Sequence, residues 1–243
     1  MTIALEVAVQ DAAGVRVARE IGAARVELAQ ALPLGGLTPS PATLAQALEA
    51  SGDDGPEIHV LVRPRAGGFH YDAEELAASV HDIRVAVGNG AAGVVIGALD
   101  ADGRVDVDAL ARLRDAADGA PVTLHRAIDV TPDPLAALAA AIDLGFARVL
   151  TSGGSSAAID GLDMLRALVA LADGRIQVMA GSGVNAETVA EIAATGVDAV
   201  HFSAKRTVLA DGGVRMGSAD DGVGGHEVTD LDRARAVRRA LGL

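Results

Sequence analysis

Apolar and polar positions along this 243-residue chain switch period repeatedly. Short runs rich in Val, Ile and Leu occupy residues 3–9, 24–28, 57–63, 93–97, 121–125, 148–151, 176–180 and 199–202, and each reads as a strand. Between them lie Ala-rich segments with apolar residues at helical spacing, at 11–21, 41–50, 73–87, 107–117, 133–144, 157–171, 186–195 and 231–241. Strands alternating with helices imply an α/β fold with parallel strands and crossover helices. A doubly wound open sheet is the alternative. Eight evenly spaced units favour closure, so the expectation is a single-domain (β/α)8 TIM barrel over 1–243.

A faint repeat supports closure. Gly22-Ala-Ala-Arg-Val26, Gly90-Ala-Ala-Gly-Val94, Gly145-Phe-Ala-Arg-Val149 and Gly196-Val-Asp-Ala-Val200 each place Val four residues after Gly. The Gly reads as a helix stop in left-handed backbone, and the Val opens the next strand. This repeat sets a register, because strand side chains alternate between the helix layer and the barrel interior. With Val26, Val94, Val149 and Val200 facing the helices, Glu27, Val95, Leu150 and His201 face inward. Nearer the loops follow Ala29, Gly97, Ser152 and Ser203. The same rule turns Leu5, Val7, Val60, Val62, Val122 and Leu124 outward, and leaves Glu6, His59, Leu61, Arg63, Thr123 and His125 inside.

Ser40-Pro41 reads as a helix cap followed by a first-turn proline, and Asn185 as a cap with Glu187 in the first turn. Residues 205–228 are rich in Gly and Asp and lack a clear period, so they read as a long loop between strand 8 and helix 8.

Composition narrows the function. Half the chain is apolar but only 2% is aromatic, so aliphatic residues must build the core. Cysteine is absent, which excludes disulfides, thiolate nucleophiles and Cys-based metal sites and fits a cytoplasmic location. A net charge of −13 opposes polyanions, so neither nucleic acid nor an anionic membrane is an expected partner. The apolar run at 134–142 falls well short of the ~18 residues of a spanning helix. Met1-Thr2-Ile3-Ala4-Leu5-Glu6 puts no basic segment before an apolar one, so no signal peptide is expected.

The inward polar set is the candidate chemistry, because charges inside a barrel are costly unless paired or used. Glu6 or Glu27 could form a structural ion pair with Arg63. Arg63 and His125 stand at strand C-terminal ends, where such barrels place reactive groups. Arg63-Pro64-Arg65-Ala66-Gly67-Gly68-Phe69 brings two guanidinium forks suited to carboxylate or phosphate. His125-Arg126-Ala127-Ile128-Asp129 offers an acid–base pair. Thr151-Ser152-Gly153-Gly154, Gly181-Ser182-Gly183-Val184 and His201-Phe202-Ser203-Ala204 end strands 6, 7 and 8. Glycine there lets backbone N–H groups approach an anion, and a helix starting near Asn185 would add its dipole. The candidates are thus His125, Glu27 and Asp129 for catalysis. Glu6, Arg63, Arg65, Arg126, Ser152, Gly153, Gly181, Gly183, His201 and Ser203 are the candidates for ligand binding. Glu6, Glu27, His125 and His201 could supply oxygen and nitrogen ligands to a metal, although no H-E-x-x-H spacing occurs.

Several segments in order carry a resemblance. They are Leu5-Glu6-Val7, Arg25-Val26-Glu27-Leu28, Gly35-Gly36-Leu37-Thr38-Pro39-Ser40, the Arg63–Phe69 segment, the His125–Asp129 segment, Val149-Leu150-Thr151-Ser152-Gly153 and Met179-Ala180-Gly181-Ser182-Gly183-Val184. Together, over residues 3 to 204, they resemble the CutC family of copper homeostasis proteins. The resemblance implies a (β/α)8 barrel, a cytoplasmic location, a homodimer or larger homo-oligomer, and a link to copper as cofactor or cargo. It implies no particular reaction. Family members often carry Cys just after the R-V-E-L strand, where this chain has Ala29. Cu(I) prefers thiolate and thioether ligands, and the only sulfur here is in Met1, Met164, Met179 and Met216. Two functions follow: a metal-handling protein, or a lyase, aldolase or isomerase acting on a small anionic or phosphorylated metabolite. No Lys lies in a predicted strand, so Schiff-base chemistry is left to Lys205 alone.

Overall fold

The computed structural model describes residues 3–209 and 225–243. Among these, eight parallel strands form a barrel in chain order, closed by pairing β1 to β8. They are β1 Ala4–Val9, β2 Arg25–Leu28, β3 Glu57–Leu61, β4 Gly93–Ile96, β5 Val122–Leu124, β6 Arg148–Thr151, β7 Gln177–Gly181 and β8 Ala199–Phe202. Helices α1 Ala12–Glu20, α2 Pro41–Ser51, α3 Ala73–Gly88, α4 Val107–Ala116, α5 Pro134–Asp143, α6 Leu162–Ala172, α7 Val189–Ala193 and α8 Leu231–Ala240 surround it. The expected single-domain (β/α)8 barrel is the fold observed.

Local chemistry sets most boundaries. The four repeat glycines, Gly22, Gly90, Gly145 and Gly196, have φ of 66°, 98°, 71° and 92°, the left-handed backbone the repeat requires. Ser40 Oγ caps α2 by accepting the Thr43 N–H at 3.1 Å, as expected. Asp72 and Glu75 form a reciprocal capping box on α3.

Three boundaries differ from expectation. α7 spans only Val189–Ala193. Asn185 stands ahead of its first residue: its Oδ1 accepts the N–H groups of Glu187 and Thr188 at 2.8 and 3.2 Å and its carbonyl accepts the Val189 N–H at 2.9 Å, closing the turn that leads into the helix. α6 begins later than 157, after a 3-10 turn at Ala158–Gly161. Both arms of the expected 205–228 loop are strands: β9 Lys205–Leu209 pairs antiparallel with β10 Gly225–Thr229. β-branched Thr207, Val208, Val228 and Thr229 favour the extended backbone, and Lys205–Glu227 and Arg206–Asp230 ion pairs at 2.7 and 2.9 Å tie the ribbon and its exit. Residues 210–224 of that loop lie outside the described residues.

The core divides as the alternation requires. Val26, Val94, Val149 and Val200 pack with Leu110, Leu138, Leu165 and Leu168 of the helices. Inside the barrel, Ala29, Leu61 and Val95 form one cluster and Leu150, Met179 and Ala199 another. Strand stagger brings inward residues of alternate strands to one height. Glu6, His59, Thr123 and Met179 form one layer. Glu27, Val95, Leu150 and His201 form the next, and Ala8, Leu61, His125 and Gly181 lie nearest the loops. Below them Arg25 and Arg148 are also buried.

Candidate functional site

At the C-terminal ends of the strands the barrel opens into a cavity of about 740 Å³, a size typical of small-molecule sites. Its floor is polar. His201 Nδ1 lies 2.9 Å from Glu6 Oε1, and Nε2 lies 3.7 Å from Glu27 Oε2. From below, Arg25 Nε donates to Glu6 Oε2 at 2.9 Å. Three adjacent strands, β8, β1 and β2, position this array by register alone, since Glu6 pairs with both His201 and Arg25.

The charges sort by burial and partner. Burial alone would raise the Glu6 carboxyl, but its hydrogen bond and attraction to His201, with the Arg25 charge, lower it to about 2. Burial opposes charge on His201, yet Glu27 and Glu6 together raise its pKa above the ordinary imidazole value. Glu27 is raised by burial, against the pull of His201 and with the push of Glu6. Glu27 and His201 line the cavity, whereas Glu6 stands one hydrogen bond behind them.

Above the floor, His125 Nδ1 accepts the Ala127 N–H at 3.1 Å, and the ring packs on Gly97. A Cβ at position 97 would fall 2.2 Å from His125 Cε1, so only glycine fits there. Burial, reinforced by the Arg63 charge, lowers the His125 pKa to about 3. Arg63 does not pair with Glu6 or Glu27. Its Nη1 donates to the carbonyls of Leu34 and Gly36 at 2.9 Å each, and Nη2 to Gly67 O at 2.8 Å, joining the loops after β2 and β3. At the rim stand Arg126, Lys205 and Arg233.

The structure thus brings Glu27, Arg63, His125 and Arg126 to one cavity with Gly183, His201 and Ser203. It places the other candidates elsewhere. Arg65 pairs with Glu75, donates to Gly68 O and His70 O at 2.9 Å each, and stacks on Tyr71, so it braces its own loop. Asp129 is buried and saturated: it accepts from Arg126 Nε at 2.8 Å, Thr151 Oγ1 at 2.5 Å and the Ser152 N–H at 3.0 Å. It locks the loops after β5 and β6. Ser152 and Gly153 belong to that lock, and Gly181 lies beneath the cavity lining against Leu150. Arg25 and Arg233 were missed. Counting back two residues from Glu27 along β2 signals Arg25 as inward; nothing in the local sequence signals Arg233.

The donor set does not suit Cu(I). The chain has no Cys, both His201 nitrogens face carboxylates, and His125 Nδ1 is engaged by Ala127. Met179 sulfur lies in the barrel interior, 3.9 Å from Arg25 Nη2. Among the described residues no three His, Asp or Glu side chains gather as a metal-binding group.

Fold and cavity define a (β/α)8-barrel protein with a chamber, polar at its floor, at the C-terminal ends of its strands. The chain belongs to the CutC family, whose model matches residues 3–206. A CutC protein of Caulobacter vibrioides is 47% identical over 202 residues, covering 83% of this chain and 81% of its own. One from Rhizobium meliloti is 40% identical over 240 residues, covering 98% and 96%. The crystal structure of the CutC protein of Streptococcus agalactiae, described as a candidate copper homeostasis protein, superposes with a TM-score of 0.79 at 32% identity, covering 83% of this chain and 98% of that one. Among the described residues no helix is long and apolar enough to cross a membrane.

Proposed function

We propose that the cavity is the active site of a cytoplasmic enzyme that performs acid–base chemistry, of lyase, aldolase or isomerase type, on a small anionic or phosphorylated metabolite. The observation that carries this reading is the Glu6–His201–Glu27 array. It puts a carboxyl of raised pKa at the cavity wall beside the His201 ring, whose pKa is also raised, and a buried carboxylate behind it fixes the ring. A carboxyl raised by burial beside a partner ring is suited to take and return a proton. Arg126, Lys205 and Arg233 supply positive charge at the rim of a chain that is otherwise strongly acidic. The N–H groups of Gly183 and Val184 donate to no acceptor among the described residues and can serve an anion. Lys205 Nζ lies 2.7 Å from Glu227, an ion pair that argues against a Schiff-base role.

Inorganic phosphate tests the reading. A ligand at about one hundred times its Kd adds about 2.7 kcal/mol, which at this chain length raises Tm by about 5–10 °C. Arg126→Gln is expected to reduce the gain, and Glu27→Gln to preserve it. If neither phosphate, sulfate nor small carboxylates move Tm, the anion site is wrong.

Copper is a separate test. Equilibrium dialysis with Cu(I) under reducing conditions is expected to show no stoichiometric site tighter than micromolar, because thiolate ligands are absent. A tighter site would return metal handling to first place. A homodimer or larger assembly is also part of the reading, checked by light scattering.

A further inference from the structure

Two donors at the top of the barrel are buried without a partner: His125 Nε2 and Arg63 Nε. The tautomer of His125 follows from geometry. Nδ1 accepts the Ala127 N–H, so the proton sits on Nε2. Arg63 spends its Nη groups on three carbonyls, which aligns the guanidinium beside the Tyr71 hydroxyl and leaves Nε–H without a hydrogen bond. Both side chains meet one ring. The Phe69 centroid lies 4.8 Å from that of His125 and 5.3 Å from Arg63 Cζ. Phe69 is half-buried and lines the cavity, and its carbonyl accepts the Leu99 N–H at 2.9 Å, so exposing the donors needs only its side chain to turn aside. His125 stands one layer above Glu27 and His201. Two unsatisfied donors under a displaceable ring, over an acid–base floor, have the layout of an oxyanion site.

We propose that His125 Nε2–H and Arg63 Nε–H together bind a carbonyl oxygen of the substrate while Glu27 removes a proton from the carbon beside that carbonyl. The proposal rests on the acid–base reading of Glu27 above and narrows the substrate to an enolisable oxo anion. The C–H bond breaks and its proton passes to the Glu27 carboxylate. The electron pair forms a C=C bond, and the carbonyl π electrons move onto oxygen. The resulting enolate oxygen is held by both donors. Return of the proton from Glu27 completes the exchange, so no oxidant or further reactant is needed. Neither donor surrenders its proton: arginine stays charged, and burial with the Arg63 charge disfavours an imidazolium at His125.

The test follows deuterium uptake at the carbon beside the carbonyl in D2O, by NMR, with pyruvate, 2-oxobutyrate and dihydroxyacetone phosphate as probes. In His125→Asn the amide oxygen can keep the Ala127 N–H bond, but the Nε2 donor is lost. In His125→Gln an amide N–H reaches the Nε2 position. The intact protein is expected to exchange at least one probe, and Glu27→Gln to abolish exchange. Loss of one such donor is expected to cost His125→Asn about 100-fold or more, while His125→Gln recovers part of it. The ¹⁵N–¹H signal of His125 Nε2 is expected to shift on saturation with the exchanging probe. If His125→Asn fails to fold, the Gln variant and this signal decide. No exchange with any probe while phosphate still raises Tm overturns the carbonyl proposal and leaves the anion site standing. Failure of both removes both. Exchange in His125→Asn equal to that of the intact protein, or an unmoved His125 signal, also overturns it.

Discussion

Truncating Glu6 to alanine is expected to destabilise the barrel by about 3–5 kcal/mol, the range for breaking a buried ion pair by removing one partner. Glu6 is 1% exposed, and its two oxygens serve different partners, Arg25 below and His201 above. Without it the Arg25 guanidinium keeps no ion pair among the described residues and loses its Nε acceptor, while His201 keeps Glu27 at 3.7 Å. Against a total stability of about 5–15 kcal/mol, such a loss lowers Tm by about 6–20 °C at this length. The cost arises from stranded charge rather than lost volume, and a second variant separates the two. Glu6→Leu with Arg25→Met replaces the pair by apolar side chains, a change that is often neutral for buried pairs. The double variant is expected to recover most of the stability in urea unfolding. A double variant as unstable as Glu6→Ala would show that the lower layer is held by packing, not by neutralisation.

Why the barrel was readable and the site only partly so is clear from particular residues. Gly22, Gly90, Gly145 and Gly196 announce helix ends through a local backbone requirement, and the Val four residues later fixes register for a whole strand. Period-two alternation then carries Glu6, Glu27, His125 and His201 inward with no knowledge of tertiary contacts. What alternation cannot supply is the identity of partners. Arg63 resembles an anion fork until three carbonyls from two loops occupy it, two of them, Leu34 and Gly36, from the preceding βα loop. Asp129 resembles a base beside His125 until the loop after β6 folds over it and fills its lone pairs. Both sites pair side chains with irregular backbone, which has no period to read. The short α7 and the β9–β10 ribbon were missed for a related reason. A side-chain turn at Asn185 occupies the residues that lead into the helix, and glycine-rich flanks hide the alternation in Lys205–Leu209.

Acid is expected to unfold this protein in two overlapping steps, the upper led by His125 and the lower by Glu6. His125 is lowered from 6.5 to about 3, so the native state holds it neutral. Below about pH 6.5 the unfolded chain binds a proton that the native state refuses until near pH 3, and stability falls across that window. Glu6 is lowered from 4.5 to about 2; its contribution is full above pH 4.5 and is lost as pH falls towards 2. Buried His59, also lowered, adds to the upper step. Glu27 and His201 are raised and act oppositely: their contributions are full below 4.5 and 6.5 respectively and fade as pH rises through their native values. Stability should therefore peak between the two sets. His125→Asn isolates the upper step, since it removes one titrating group and leaves His59 and Glu6 in place. Well below pH 6.5 the intact protein should lose about 1.4 kcal/mol more per pH unit than the variant, the slope for one proton. Urea unfolding at stepped pH measures it directly. Parallel slopes for the two proteins would mean that His125 accepts its proton in the native state, and the neutral donor at the top of the barrel would go with them.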